Sequence, residues 1–369
     1  MLSEPQLESL MRECIVIARK GSGYVSPNPQ VGAIIYQNGA ILGKGFHTKY
    51  GEPHAEIEAI KSVKTNLKGA TLIVNLEPCS HYGKTPPCVD EIIKKNISNV
   101  VIGTRDPNKL VSGKGIKKLQ SKGINVIEGI LKKDCLKLNE SFFKFIQTNI
   151  PFVVLKCAQS LNGKIASFNG KPKWISGAKS RTLVHQLRSE YDSILVGAQT
   201  VIKDNPSLTV RLVKGRNPHK IVIDGKFRTT LNYKVYQQND DKKTYVFVSE
   251  EAFFNLQKKV KSFEKEHIQI IPIKAKKNFR FDFIDVLRIL GNEGIASILV
   301  EGGADIQSQF LEQKLADKLL LFIAPTFIGK GIDTFNFSDN SIILRNIKLY
   351  HSTFSLIGED ILFETYLKK

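Results

Sequence analysis

The feature that most constrains the fold is an alternation of short apolar runs with segments of helical spacing. VGAIIYQNGAILGKGF, residues 31–46, reads as strand, Asn-Gly turn, strand, a strong hairpin signal. HAEIEAIKSV has helical spacing, GATLIVNLEP is a buried strand, and PPCVDEIIKKN opens with prolines that suit a first helical turn. NVVIGTRDPN is a strand running into a turn, GKGIKKLQSKG a helix closed by glycine, INVIEGI a strand, and 131–147 a helix. A hairpin followed by βαβ repeats predicts an α/β sandwich.

QTNIPFVVLKCAQS marks a second start, so the boundary falls near 147–151 and the expected domains are 1–147 and 149–369. The second half reads as strand, helix SGAKSRTLVHQLRSE, strand SILVGAQTV, loop IKDNPSLTVR and strand HKIVIDG. Strand TYVFVS, a helix near 251–265, strand IQIIPI, a helix near 282–291, strand SILVEGGA and helix DIQSQFLEQ follow. The last two strands, KLLLFIAP and ILFETYL, have no crossover helix between them, so the sheet should be mixed at one edge.

Composition narrows the setting. The longest apolar runs are strand-sized, which argues against a membrane span, and the acidic N-terminus lacks the apolar stretch of a secretory signal. Five cysteines, an odd number in a chain of 369 residues, do not suggest a disulfide scaffold and fit a reducing, cytoplasmic location. The net charge of +19 suits nucleic acid, a membrane surface or small phosphorylated anions. The lysines are scattered rather than gathered with aromatics, so compositional bias is an equal alternative and nucleic acid the weaker one.

Two cysteines, Cys79 and Cys88, lie in EPCSHYGKTPPC, a segment too rich in Pro, Gly, Ser and Lys for helix or strand. In a reducing setting such a loop needs something other than a disulfide to hold it. His54 and Glu56 open the HAEIEAI helix, and both cysteine loops can converge there. One imidazole and two thiolates make three ligands for Zn2+ and leave a fourth position for water. Zinc lowers the pKa of that water, and Glu56, which need not be a ligand, can move its proton to a leaving amine. This is the arrangement of the zinc deaminases, with eight residues between the cysteines instead of two.

With that insertion, EPCSHYGKTPPC closely resembles the deaminase half of the bifunctional riboflavin-biosynthesis deaminase–reductases. SPNPQVGAIIY, GFHTKYGEPHAEIEAI and GTRDPNKLVSGKGI do so as well. PFVVLKCAQSLNGKIA, KWISG, LVGAQTVIKDNPSLTVR and LVEGGADIQSQFL resemble the reductase half. The resemblance implies a cytidine-deaminase-like three-layer α/β/α domain followed by a dihydrofolate-reductase-like α/β domain with a mixed sheet. It implies deamination of 2,5-diamino-6-ribosylamino-4(3H)-pyrimidinone 5′-phosphate, then reduction of the ribosyl group to a ribityl chain by NADPH. It also implies a homo-oligomer built through the second domain.

Carried over by motif, Asn28, His47 and Asn108 surround the deaminase substrate, and His81, Lys84 and Thr85 offer donors to its phosphate. In the second half Ala158, Trp174, Thr200, Asp204 and the segment Gly302, Gly303 and Ala304 would line the cofactor. Arg188, Leu208, Arg211 and Glu301 would line the substrate, and Lys156 and Asp204 are candidates for polar or proton-transfer roles near the sugar. EGGADIQ alone is a weak anion-binding signal, a glycine pair between strand and helix. Two positions depart from the family pattern: Asn162 stands where an acid is usual, and Pro172-Lys173-Trp174 lacks a hydroxyl. Both bear on reductase efficiency. The competing readings are a nucleic-acid deaminase, a deaminase with an inactive reductase domain, and a non-catalytic RNA-binding or scaffold protein with a structural zinc.

Overall fold

The computed structural model describes residues 2–82, 86–108, 112–168, 175–237, 242–276, 280–337 and 347–368. The chain divides into two compact units, Met1–Asn149 and Ile150–Lys369. In the first, strands β1 (Gly32–Gln37), β2 (Ala40–Phe46), β3 (Thr71–Leu76), β4 (Asn99–Thr104) and β5 (Asn125–Glu128) form one sheet. Its order is β2-β1-β3-β4-β5. The hairpin β1–β2 and the pair β1–β3 are antiparallel, whereas β3, β4 and β5 run parallel. Asn38 and Gly39 have φ of 52° and 83°, the positive values that the hairpin turn requires.

Both faces of this sheet are covered. Ala33, Ile35, Leu72, Val74, Val100 and Ile102 pack with Ala59, Ile92 and Leu119 from helices on one side. The intervening Ile34, Ile73 and Val101 pack with Met11, Cys14 and Ile15 of the helix Glu4–Ala18 on the other. A period of two with both phases apolar is the pattern of a sheet inside a three-layer sandwich. Each large apolar side chain buried this way contributes about 1.5–3 kcal/mol.

In the second unit, strands β6 (Phe152–Ser160), β7 (Lys164–Ser167), β8 (Ser193–Gly197), β9 (His219–Ile223), β10 (Thr244–Ser249) and β11 (Ile268–Ile273) come first. β12 (Ser297–Val300), β13 (Lys318–Ala324), β14 (Gly331–Asp333), β15 (Tyr350–Ile357) and β16 (Asp360–Tyr366) follow. Nine of them form a sheet of order β11-β10-β9-β8-β12-β6-β13-β16-β15, and β7 pairs with β14. The sheet is parallel from β11 to β13 and antiparallel at β16 and β15, so it is mixed at one edge.

The structure differs from the sequence reading in several places, among them the end of the expected strand SILVGAQTV, where residues 198–201 open the helix Ala198–Asp204. The segment 131–147 is not one helix: Lys132–Leu138 and Glu140–Thr148 meet at Asn139, whose φ of −113° breaks the run. The side chain of Asn139 accepts from the Gln30 N–H at 2.7 Å and donates to the Gln30 carbonyl at 2.9 Å. Asn75 adds a second donor to that carbonyl at 2.9 Å and accepts from the Gly32 N–H at 2.8 Å. The helix break therefore fixes the loop that carries Asn28. Leu256 similarly divides the helix expected near 251–265 into Glu250–Asn255 and Gln257–Lys265. Strands β7, β14 and β15 are additional, and every residue of β15 is exposed or half-buried.

Asn139→Ala should lower the stability of the first unit by about 1–3 kcal/mol, because it strips the Gln30 N–H of its partner inside the fold. Denaturant unfolding followed by circular dichroism measures the loss.

Candidate functional site

His54 is the N-cap of the helix Ala55–Lys61, with Glu56 in its first turn. Glycine at 45 lets this helix lie on β2, since a Cβ there would fall 2.3 Å from the Ala59 nitrogen. Cys79 follows β3, and Cys88 begins the helix Cys88–Lys94 after Pro87. The fold brings the three ligand atoms within 4.8 Å of one another. His54 Nδ1 lies 3.5 Å from Cys79 Sγ and 3.2 Å from Cys88 Sγ. Zn–S and Zn–N bonds of about 2.3 and about 2.0 Å at a tetrahedral angle separate N and S by about 3.5 Å, so the donors fit Zn2+.

The Cys79 thiol is held down at about 4, chiefly by its hydrogen bond with Cys88, and the Cys88 N–H donates to its sulfur at 3.3 Å. Glu56 is 3% exposed, and burial raises its pKa against the opposing pull of His54.

A cavity of about 310 Å³ opens beside this cluster, lined by His54, Glu56 and Cys79 together with Asn28, His47, His81 and Asn108. Six sequence-derived site residues of the first half, with Cys79, thus share one wall system; Lys84 and Thr85 lie outside the described residues. His47 Nδ1 faces the Pro53 carbonyl at 3.1 Å, which can only accept, so this nitrogen carries the proton. Nε2 then accepts from Asn28 Nδ2 at 3.1 Å, and burial lowers the His47 pKa, keeping the ring neutral. His81 Nδ1 is buried with no hydrogen-bond partner among the described residues, which leaves it for a ligand.

Several cavity residues escaped the sequence reading. Asp106 is 8% exposed and raised to about 6 by burial, and it accepts from the Asn108 N–H at 2.8 Å. Phe142, Phe145 and Ile146 supply an apolar wall. The only hint of the three apolar residues is helical spacing, which marks core and cavity alike, whereas Asp106 sits in the DPN turn beside Asn108.

In the second unit the polar candidates gather at the carboxyl ends of β8 and β12. Arg188 grips Glu301 with both arms, at 2.7 and 2.8 Å, and donates to the Thr209 carbonyl at 3.2 Å. Burial alone would raise Glu301, but the Arg188 charge and hydrogen bonds bring it to about 2. Lys156 on β6 is lowered by burial, with Glu301 opposing that shift. Arg211 reaches Ser207 and Thr209, beside the buried Leu208.

Thr200 Oγ1 lies 3.7 Å from where a Cβ on Gly303 would sit, so the helix Ala198–Asp204 flanks the Gly302–Gly303–Ala304 turn. Asp204 is exposed at the far end of that helix, and Ala158 lies on β6 opposite Phe322. Trp174, with Pro172 and Lys173, lies outside the described residues. Gln307, also missed by sequence, donates to the carbonyls of Lys156 at 2.9 Å and Gly302 at 3.0 Å, tying the glycine turn to β6.

Asn162 is more than a lost acid. Its amide donates to the Ile328 carbonyl at 2.7 Å and accepts from the Ile328 N–H at 3.1 Å. An aspartate could make only the second contact.

Two outcomes follow from this geometry. Cys79→Ser or Cys88→Ser should leave the purified protein with less than about a tenth of the wild-type zinc, read by atomic absorption, since a hydroxyl does not supply the thiolate of such sites. The second concerns His185, whose Nδ1 accepts from the Arg211 N–H at 3.0 Å. Burial, reinforced by Arg188 and Arg211, lowers its pKa from 6.5 to about 4. The unfolded ring takes a proton that the folded ring refuses, so stability is full above 6.5 and declines as pH falls towards about 4. His219, also lowered to about 4, acts in the same direction. His185→Asn, which keeps an acceptor for Arg211, should flatten part of that decline in thermal unfolding across the window.

The comparisons with known proteins agree with this picture. The RibD C-terminal domain family matches residues 151–363, and the cytidine and deoxycytidylate deaminase zinc-binding region matches residues 4–104. The riboflavin biosynthesis protein RibD of Actinobacillus pleuropneumoniae is 39% identical over 356 residues, covering 96% of this chain and 93% of that protein. A crystal structure of a diaminohydroxyphosphoribosylaminopyrimidine deaminase/5-amino-6-(5-phosphoribosylamino)uracil reductase from Thermotoga maritima is 41% identical. It superposes with a TM-score of 0.85 over 98% of this chain and 99% of that one. Acinetobacter baumannii RibD, 30% identical, superposes with a TM-score of 0.87 over the full length of both chains.

Proposed function

The chain belongs to the bifunctional riboflavin-biosynthesis deaminase–reductase family, and from that premise we propose how its residues divide the two reactions. The protein is a deaminase and a reductase of riboflavin biosynthesis, with Zn2+ and NADPH as its cofactors, acting on small phosphorylated pyrimidines. Residues 1–147 carry the deaminase and residues 149–369 the reductase. The substrate is 2,5-diamino-6-ribosylamino-4(3H)-pyrimidinone 5′-phosphate, whose ring amine leaves as ammonia. The ribosyl chain of the product is then reduced to ribityl.

The observation that carries the reading is the convergence of His54, Cys79 and the buried Cys88 beside a buried Glu56, with His54, Cys79 and Glu56 on one cavity wall. His54, Cys79 and Cys88 would hold the zinc, which when bound would acidify a water ligand in its fourth position. Glu56 takes a proton from the water on a carboxylate oxygen and returns it to the leaving amine, and the second water proton ends on the adjacent ring nitrogen, so water and substrate give ammonia and the ring carbonyl. Neutral His47 holds the Asn28 side chain beside the pyrimidine, and Asn28 and Asn108 orient the ring. His81, Lys84 and Thr85 take the phosphate, His81 through a nitrogen that is otherwise unpartnered.

In the second half, bound NADPH supplies the hydride. Ala158, Thr200 and the Gly302–Gly303–Ala304 turn frame the cofactor, with Trp174 and Asp204. Arg188, Leu208, Arg211 and Glu301 frame the sugar phosphate. Because Glu301 neutralises Arg188, Arg211 and Lys156 are the cations left to meet the phosphate and the sugar. Lys156 Nζ, lowered by burial, is suited to hand a proton to the reduced chain. Assembly as a homo-oligomer and a cytoplasmic location complete the proposal. The exposed Phe354 and Leu356 of β15 support the first, and five unpaired cysteines the second. Among the described residues no helix is long and apolar enough to cross a membrane.

Glu56→Gln should reduce ammonia release at least about a hundredfold. Zinc content and NADPH oxidation with the deaminated pyrimidine should stay at wild-type level. Unchanged ammonia release in the zinc-loaded variant would remove Glu56 from the proton path.

A further inference from the structure

Glu77 is the first residue after β3, two residues before Cys79, and is 3% exposed. Its carboxylate is met by four backbone N–H groups from a distant segment. Oε2 accepts from Asp106 at 3.4 Å and Gly113 at 3.0 Å, and Oε1 accepts from Gly115 at 3.1 Å and Ile116 at 3.4 Å. Three of these donors belong to the start of the helix Lys114–Ser121, where N–H groups have no partner within the helix. The approach is close from the other side too. A Cβ on Gly115 would lie 2.3 Å from the Pro78 carbonyl oxygen and 3.2 Å from Glu77 Oε1.

One carboxylate therefore joins the strand end that leads to a metal ligand with the chain that carries Asp106 and Asn108 into the cavity. Asp106 in turn fixes the Asn108 backbone, so Glu77, Asp106 and Asn108 form one relay of hydrogen bonds. A carboxylate is the group that can do this. It has acceptor capacity for four donors, whereas a glutamine would turn an N–H group towards N–H groups.

Resting on the deaminase reading above, we propose that Glu77 is a positioning residue for deamination. It docks the Asp106–Asn108 wall of the cavity to the cysteine loop, so that substrate and zinc ligands share one frame.

The test uses the full-length, zinc-loaded protein. Glu77→Gln should raise the deaminase KM about tenfold or more, while kcat changes less than about threefold and zinc content stays at wild-type level. Hydrogen exchange at the amides of Gly113, Gly115 and Ile116 should speed up. Asn108→Ala should raise KM alone, and adding Glu77→Gln to it should cost far less than the product of the two single effects, since both act on one wall. Gly115→Ala, which presses the same contact from the opposite side, should reproduce the KM effect and serves if Glu77→Gln does not fold.

A folded, zinc-loaded Glu77→Gln protein with wild-type KM overturns the proposal, as do single effects that multiply. If the wild type itself releases no ammonia from the pyrimidine, the deaminase reading fails instead. The exchange rates still report whether Glu77 docks the segment.

Discussion

Apart from the edge strand β15, both sheets are buried on both faces, and this decides where polar chemistry can sit. An unpaired polar group inside such a layer costs several kcal/mol, so the strands are nearly uninterrupted apolar runs, and most candidate site side chains, Lys156 and Ala158 of β6 apart, wait until a strand ends. Leu76 is followed by Glu77, Pro78 and Cys79; Thr104 by Arg105, Asp106 and then Asn108. In the second unit Gly197 leads to Thr200, and Val300 to Glu301 and the glycine pair. Open parallel sheets place ligands beyond the carboxyl ends of their strands for this reason. Two unrelated reactions therefore meet the same architectural solution in one chain.

Much of this is written in local chemistry. Asn38-Gly39 dictates the hairpin, the doubly apolar strands announce helices on both faces, and His54, Glu56, Cys79 and Cys88 carry a donor set that few structural roles require. What stayed hidden depends on partners far along the chain. Glu77 looks like any acid at a strand end, because the N–H groups that give it meaning lie 29–39 residues downstream. Asn139 sits in a helical pattern and breaks it to hold Gln30, 109 residues away. Strand β15 was missed because its residues are largely exposed and its alternation is weak: an edge strand has one neighbour and little core to face.

The second half shows how a departure from a family pattern can be absorbed. Asn162 pairs with both the N–H and the carbonyl of Ile328, so the turn after β6 is held by the amide that replaces the acid. The Arg188–Glu301 pair is partly buried and bidentate. Removing either partner would strand the other, a change that typically costs about 3–5 kcal/mol. That pair, with the Arg188 bond to the Thr209 carbonyl, fixes the floor beside Arg211 and Lys156.

The central claim is that one chain carries out both reactions in order. Its most direct test follows ammonia and NADPH together in a single reaction of the zinc-loaded protein with the diaminopyrimidine phosphate. The account predicts that both change, that NADPH oxidation lags behind ammonia, and that one NADPH is consumed for each ammonia released. Ammonia release with constant NADPH would contradict it, reducing the second half to a scaffold, and NADPH oxidation ahead of ammonia would reverse the order of the two steps.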